Sequence, residues 1–312
     1  MSIVWKRGVE LVLFLLLLSL VSFVFVKLAP GDAVKQMLRL DDVAVTSSEI
    51  EQQREALGLN KPVLVQYGNW LARLAQLDLG NSYMTNRPVS EELLGKMPAT
   101  LLLTGSSLLI LLLIAVPLGA LSALYPNRVI DYASRLLAVL GTSIPSFWLG
   151  LLLIEGLSVK AGLFPSMGMG TPSHLVLPAL TLGLTMSAVY VRLIRSSLLD
   201  SLSQDFIQGA RARGIGSGKI LLRHAFRHAL TPVVTMFGVS IGSLLGGTVV
   251  IEVLFAYPGM GKFIVDAIQS RDYPVIQGYM VVMGAAVTLI HLLVDGANHV
   301  LNPEMRLKGE KR

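Results

Sequence analysis

Long apolar windows separated by short charged stretches set the pattern of this chain. Six windows approach the roughly 20 apolar residues that a bilayer crossing needs. They are Val9 to Leu28, Thr100 to Leu124, Leu136 to Val159, His174 to Val191, Ala229 to Ile251 and Ile276 to Leu301. The first follows Lys6 and Arg7, as a secretory signal would. Its run from Leu11 to Val26 is uncharged and too long for a signal sequence, and no small-residue cleavage site follows, so it is expected to be retained. Between the first two windows, residues 29–99 carry turn signals at Pro30-Gly31, Asn60-Lys61-Pro62 and Asn86-Arg87-Pro88. Within them Ser47 to Leu57 is a predicted helix with Ser48 as N-cap and Glu51 completing a capping box, and Val63 to Leu77 is a second helix.

Composition reinforces the pattern. With 53% apolar and 15% charged residues among 312, the chain is too apolar for a soluble domain, in which about a quarter of residues are charged. The absence of cysteine removes disulfides, thiolate metal sites and cysteine nucleophiles together. Charge then orients the spans. Residues 192–228 hold Arg192, Arg195, Arg211, Arg213, Lys219, Arg223 and Arg227 against Asp200 and Asp205, so this loop is expected to stay cytoplasmic. Lys6 and Arg7, Arg128 and Arg135, and the tail Arg306, Lys308, Lys311 and Arg312 then fall on the same side. The excess of 26 Lys and Arg over 20 Asp and Glu is read as loop charge, with membrane lipid as the partner and no nucleic acid. The expected fold class is an all-α integral membrane protein of six transmembrane helices, both termini cytoplasmic, with a small external helical segment between the first two.

Several motifs carry the residue types of chemistry. Gly238-Val239-Ser240-Ile241-Gly242 matches a nucleophile elbow but lies in a span, without the strand that motif needs. Gly238, Gly242 and Gly246 instead recur every four residues, the small-residue spacing of close helix packing or of a translocation path. Gly214 to Lys219 resembles a phosphate loop, but Arg213 and Ile220 stand where glycine and Ser or Thr are required, so no cofactor is expected on this chain. His224 and His228 have metal-ligand spacing amid Lys219, Arg223 and Arg227, whose charge disfavours a dication. Met167, Met169 and His174 are weak metal candidates of thioether and imidazole type, and gap-filling at a subunit contact is the plainer reading. Glu155, Glu252 and Asp295 lie near span ends, where a carboxylate can reach headgroups or water. Prolines 117, 145, 178 and 232 fall within spans and free carbonyls for neighbouring helices or water.

The stretch that discriminates runs from Asp205 to Ile215. Short apolar residues stand beside strong bases outside the apolar windows, which predicts a docking helix. Phe206, Ala210 and Ile207 would form its ridge for another protein's groove, and Gly214 would stop it. This text, Asp-Phe-Ile-x-x-Ala-Arg-Ala-Arg-Gly, followed by Leu221-Leu222-Arg223-His224-Ala225-Phe226-Arg227-His228-Ala229-Leu230-Thr231-Pro232, resembles the EAA-type loop of ATP-binding-cassette (ABC) import permeases. Gly246 to Glu252, Phe255 to Gly261, Arg271 to Gln277, Leu57-Gly58-Leu59 with Pro62, Gln66-Tyr67, Trp70-Leu71 and Leu301-Asn302-Pro303 are similar to the dipeptide, oligopeptide and nickel permease family. Gln208 and Gly209 stand where the general pattern has its Glu-Ala pair.

The resemblance implies a type I importer fold and a non-catalytic transport subunit of the inner membrane. It implies three kinds of partner: a second permease subunit, two ATP-binding-cassette ATPases that use ATP and Mg, and an extracytoplasmic substrate-binding protein. Asp205, Phe206, Ala210, Arg211, Arg213 and Gly214 are then the expected ATPase-coupling residues. The expected organisation is residues 1–28 as tail and first span, 29–99 external, 100–301 a five-helix permease core with a coupling loop at 192–228, and 302–312 a cytoplasmic tail. Leu38-Arg39-Leu40, Arg271 to Gln277 and the Met-Gly-x-Gly loop with His174 look most like nickel-type permeases, giving nickel or a metal chelate as expected cargo and peptides as the alternative. A membrane-embedded enzyme needs a convergent catalytic set, and a secondary transporter needs mid-span carboxylates and inverted repeats. The sequence shows neither.

Overall fold

The computed structural model describes residues 2–28, 34 and 47–301. Pro30-Gly31, the Leu38 to Leu40 motif, Asn302-Pro303 and the basic tail lie outside the described residues. Among those described there is no strand, only an isolated bridge between Asn81 and Pro88. The helices are α1 (Ser2–Leu28), α2 (Ser47–Ala56), α3 (Val63–Leu74), α4 (Val89–Leu124), α5 (Val129–Ser143) and α6 (Ser146–Leu153), which runs on as a π-helical turn, Ile154–Lys160. They continue with α7 (Ser173–Leu202), α8 (Asp205–Ala212) and α9 (Ser217–Ile220), which passes through a π-helical stretch, Leu221–Ala225, into α10 (Phe226–Leu254). Last come α11 (Met260–Ser270) and α12 (Tyr273–Leu301).

Five helices are long and apolar enough to cross a membrane, and α5 with α6 makes a sixth if that bent pair is one span. Every expected window falls inside these helices, but two details differ. The window Leu136 to Val159 is bent by 102° rather than straight. Pro145 forces it: the residue before a proline avoids the helical region, and Ile144 is extended at φ −87°, ψ 122°. The other difference is at α2, which already includes Ser47, so Ser48 lies inside the helix and is not its N-cap. Glu51 there accepts instead from Asn60 Nδ2 at 3.0 Å.

By contact the chain forms two units, Met1–Thr100 with Pro258–Thr288, and Leu101–Tyr257 with Leu289–Arg312. In the first unit Val89 and Leu93 of α4 are buried with Met260, Ala267 and Val275. Gly278 permits that approach, since a methyl there would lie 2.7 Å from Val89 Cγ1. The N-terminus of α11 has no side-chain cap of its own, and Thr100 Oγ1 fills the role by accepting from Met260 N–H at 2.8 Å. Buried Asp272 organises the loop before α4, accepting from the Ser82 hydroxyl and from Tyr83 N–H at 3.0 Å. Burial pushes the Tyr83 hydroxyl up to about 12, and the negative charge of Asp272 adds to it. On α1, Ser19, Ser22, Phe23 and Val26 are buried, with Tyr67 of α3 against Ser19 and Phe23. Its remaining faces expose Val12, Leu13, Leu17 and Phe25, as a helix apolar all round does in lipid.

The second unit is built on α7. Tyr190, Val191, Ile194 and Leu198 are buried with Leu111 and Ala115 of α4 and Ala229 and Val233 of α10. Small residues set the spacing. A methyl at Gly119 would lie 2.8 Å from Ile194, and one at Gly141 or Gly183 would lie 2.7 Å from Ala188 or Ile110. Without water or an interhelical hydrophobic gain in lipid, such close backbone approach is the main source of packing energy.

Candidate functional site

Helix α8 begins after the extended residue Gln204 and carries Asp205 in its first turn, where a carboxylate favours the helix dipole. It ends as a Schellman turn: Ile215 N–H donates to Ala210 O at 3.3 Å and Gly214 N–H to Arg211 O at 2.9 Å. Gly214 sits at φ +75°, the left-handed region that costs a side chain strain, so glycine is the residue that can stop the helix there. The helix and its glycine stop are therefore as the sequence predicts.

The face it presents is not. Ala210 and Ile207 are turned inward, 3% and 0% exposed, into the buried cluster that holds Leu198, Ile220, Leu221 and Ala225. Ala210 is thus a contact within this chain rather than a knob for a partner, a correction to the expected ridge. The physical reason is periodicity: Ile207, Ala210 and the turn residue Ile215 form the apolar stripe, and the bundle claims it first. Left outside are Asp205, Phe206, Gln208, Gly209, Arg211, Ala212 and Arg213. Phe206 is 45% exposed and rests its ring against His228, 5.7 Å between centroids. Gly209 has open space where a side chain would go, and Arg213 Nε returns to Gly209 O at 3.1 Å. His228 Nδ1 lies 3.0 Å from Ser201 Oγ, which ties α10 to the end of α7.

Close by in sequence to α8, α7 carries Arg195, and this residue makes a pair that the pattern of the chain did not reveal. Its Nε and Nη2 reach Asp131 Oδ1 and Oδ2 at 2.5 and 2.9 Å. Asp131 is wholly buried on α5 and also accepts from Ser122 Oγ of α4 at 2.6 Å and from Asn127 N–H at 2.9 Å. Ser134 Oγ donates to Ser122 Oγ at 2.9 Å, and Arg135 stands 3.3 Å from Asp131 Oδ2. The sequence contained a signal for it. Asp131 is the lone acid between Glu92 and Glu155, surrounded by arginines.

The other expected residues are placed as follows. Met167 and Met169 are exposed, and His174 Nδ1 is engaged by Thr171, 2.9 Å from Oγ1 and 3.2 Å from N. Among the described residues no three of His, Cys, Asp and Glu are grouped as metal ligands. Gly238 is packed so closely on Val294 that a methyl would collide with it, whereas Gly246 is exposed with open space in this chain. Gly242 is half-buried between them. Ser240 is buried and accepts from the Tyr190 hydroxyl at 2.8 Å. That bond makes it a packing serine. The Gly214 to Lys219 turn joins helices and follows no strand. Glu155 pairs with Lys160 at 3.2 Å, and Glu252 is fully buried at the end of α10. Burial raises the Tyr257 hydroxyl and the nearby charge of Glu252 raises it further. In the first unit a cleft of about 810 Å³ opens beside Lys27, Gln66, Trp70, Arg73 and Tyr83, in which Lys27 Nζ donates to Gln66 Oε1 at 2.5 Å.

Five helices of membrane length, with a short amphipathic helix and its glycine stop between two of them, define a multi-pass membrane protein. The comparisons give the family. Residues 115–307 match the binding-protein-dependent transport system inner membrane component, and residues 1–104 match the N-terminal membrane component of the same systems. The chain belongs to this family and is a permease subunit of an ABC importer. It is 38% identical over 308 residues to the glutathione transport system permease protein GsiC of Salmonella typhimurium, covering 99% of this chain and 100% of that one. It is 39% identical over 311 residues to the oligopeptide transport system permease protein AppB of Bacillus subtilis, covering 96% and 98%. In fold it is similar to a chain of the inward-facing MetNI methionine ABC transporter, with a TM-score of 0.57 at 22% identity over 67% of this chain and 96% of that one. Membership implies an inner-membrane location, and ATPase and substrate-binding-protein partners.

Proposed function

We propose that this permease passes short peptides, of which glutathione is one, across the cytoplasmic membrane, with its cargo delivered by an extracytoplasmic binding protein and its energy supplied by two ATPases through α8. The observation that carries the cargo class is the pair of relatives named for glutathione and oligopeptides, each matching essentially the full length at close to two-fifths identity. These names favour peptides over the nickel expected from the Met167 to His174 loop. The loop's chemistry agrees, because Met167 and Met169 are both exposed and His174 Nδ1 already has Thr171 as a partner. A second permease subunit completes the pathway, and Gly242 and Gly246 face it or the path. Both termini and the loop 192–228 are cytoplasmic, on the strength of the Lys and Arg bias.

On the docking side, Phe206 is the one large apolar side chain on the free face of α8, with Asp205, Arg211 and Arg213 around it. Such a face offers an aromatic anchor with a charged rim, the usual makeup of an interface centre and edge. The test is uptake in liposomes that contain the reconstituted importer and its binding protein. Labelled glutathione or a tripeptide accumulates with ATP, and unlabelled peptides compete. Accumulation of labelled nickel that peptides do not displace would overturn the peptide reading.

A further inference from the structure

The pair of buried Asp131 and part-buried Arg195 has no part in the docking or the cargo described so far, and its energetics call for a reason. Taking a carboxylate out of water costs several kcal/mol, so an ion pair with a buried member is weak evidence for net stability. What a two-point guanidinium fork does supply is fixed geometry: it sets both the distance and the rotation between the elements that carry it. Here those elements are three. Arg195 is on α7, Asp131 on α5, and Ser122, at 2.6 Å from Asp131, closes the junction from α4. Seven residues beyond Arg195, α7 ends at Leu202 and leads through Ser203 and Gln204 into α8. Ile207 and Ala210 of α8 are buried in the same cluster as Leu198, four residues before the end of α7, and as Ile220 of α9.

We propose that Asp131 and Arg195 are positioning residues for transport, through which displacement of α8 is carried along α7 to α4 and α5. The proposal rests on the docking role given to α8 above. In it the pair acts as a strut: while it is closed, α5 follows α7; when it is opened, α8 moves without them.

The experiment uses the reconstituted importer, with ATPases and binding protein present. The decisive variant is Arg195→Lys, which keeps the charge that compensates Asp131 but loses the fork. Asp131→Asn accompanies it, keeping the volume and an acceptor for Ser122. Because this chain has no cysteine, spin labels can be placed on the purified permease at Val129→Cys and Ser203→Cys without other labelling of it, before the partner subunits are added. Both positions are exposed, and neither belongs to the pair. Expected for the parent is one label distance, the same without nucleotide and with ATP and vanadate. Expected for Arg195→Lys is unchanged ATPase co-purification, a distance that now shifts with nucleotide, and uptake per ATP reduced by about tenfold, within the usual range of coupling between sites. Wild-type uptake per ATP in Arg195→Lys, or a label distance that ignores nucleotide in that variant, overturns the strut. Failure of the docking reading looks different, since the ATPases would then stay bound when the outer face of α8 is altered.

Discussion

Neighbouring residues 209 and 210 make opposite predictions, and the contrast tests the orientation of α8 directly. In Ala210→Asp the new carboxylate enters a cluster of Leu198, Ile207, Ile220, Leu221 and Ala225, all apolar, at a site 3% exposed. With no cation and no donor among those side chains, burial of the charge or of an unpaired carboxylic acid costs on the order of 4 kcal/mol or more. At about 1.4 kcal/mol per tenfold, that shifts the packing of α8 on the bundle by roughly a thousandfold. In Gly209→Asp the side chain meets open space, and the change within a helix is close to neutral, since glycine is about as poor a helix former as aspartate or worse. The permease is purified alone in detergent and its melting is followed. Expected is a marked fall in Tm for Ala210→Asp and no change for Gly209→Asp. The ATPases are then added, and Gly209→Asp, with its charge on the free face, is expected to capture less of them. An Ala210→Asp permease that melts as the parent does but fails to hold the ATPases would refute the inward placement and restore Ala210 as the partner's contact.

Further outcomes follow from the same geometry. Gly214→Val places a β-branched residue at φ +75°, a strain of roughly 1–3 kcal/mol; ATPase co-purification is expected to persist while uptake per ATP falls, and unchanged uptake would count against the stop. Ser240→Ala loses one hydrogen bond from Tyr190, worth about 1 kcal/mol, and uptake is expected to continue; its complete loss in a normally assembled protein would reopen a catalytic role. Gly238→Val is expected to lower Tm by collision with Val294, whereas Gly246→Val leaves the Tm of the isolated chain unchanged. For Tyr83, a folded pKa of about 12 exceeds the unfolded value of about 10, so its contribution to stability is full below pH ~10 and is lost as the pH rises toward 12. Tyr83→Phe is expected to flatten that part of the alkaline melting curve, and an identical curve in the variant would refute the assignment.

The spans were legible because lipid makes hydropathy nearly sufficient: each window had to become a helix to satisfy its backbone. Gly214 was legible too, since a glycine after a short amphipathic run is a helix stop with a stated conformation. The break at Ile144-Pro145 was visible only as a proline in a span. Whether such a residue kinks a helix or divides it depends on which neighbours satisfy the freed carbonyls, and that is a tertiary matter. Asp131 and Arg195 are 64 residues apart, and no local period links positions on different helices. In the sequence Arg195 stands out by its charge alone. In the topogenic pattern it counts the same as Arg192, although only the fold decides which of the two is paired.

The misplacement of Ala210 has the most general cause. Residues 206, 209 and 213 and residues 207, 210 and 215 trace two stripes along α8 and the turn that stops it, and each contains a residue that invites contact. From sequence the small alanine beside arginines, outside the apolar windows, reads as a knob for another protein's groove. The bundle has the prior claim on apolar surface, however, since a helix of eight residues is marginal without packing and must spend its apolar stripe on holding itself in place. What remains outside is one aromatic ring, a bare glycine, Gln208, Ala212 and three charges. On the docking role proposed for α8, a contact of that makeup would draw its strength from Phe206 and its specificity from Asp205, Arg211 and Arg213. The energy of docking would then come from the face opposite the one that packs α8, and a substitution on one face could be read without confusion from the other.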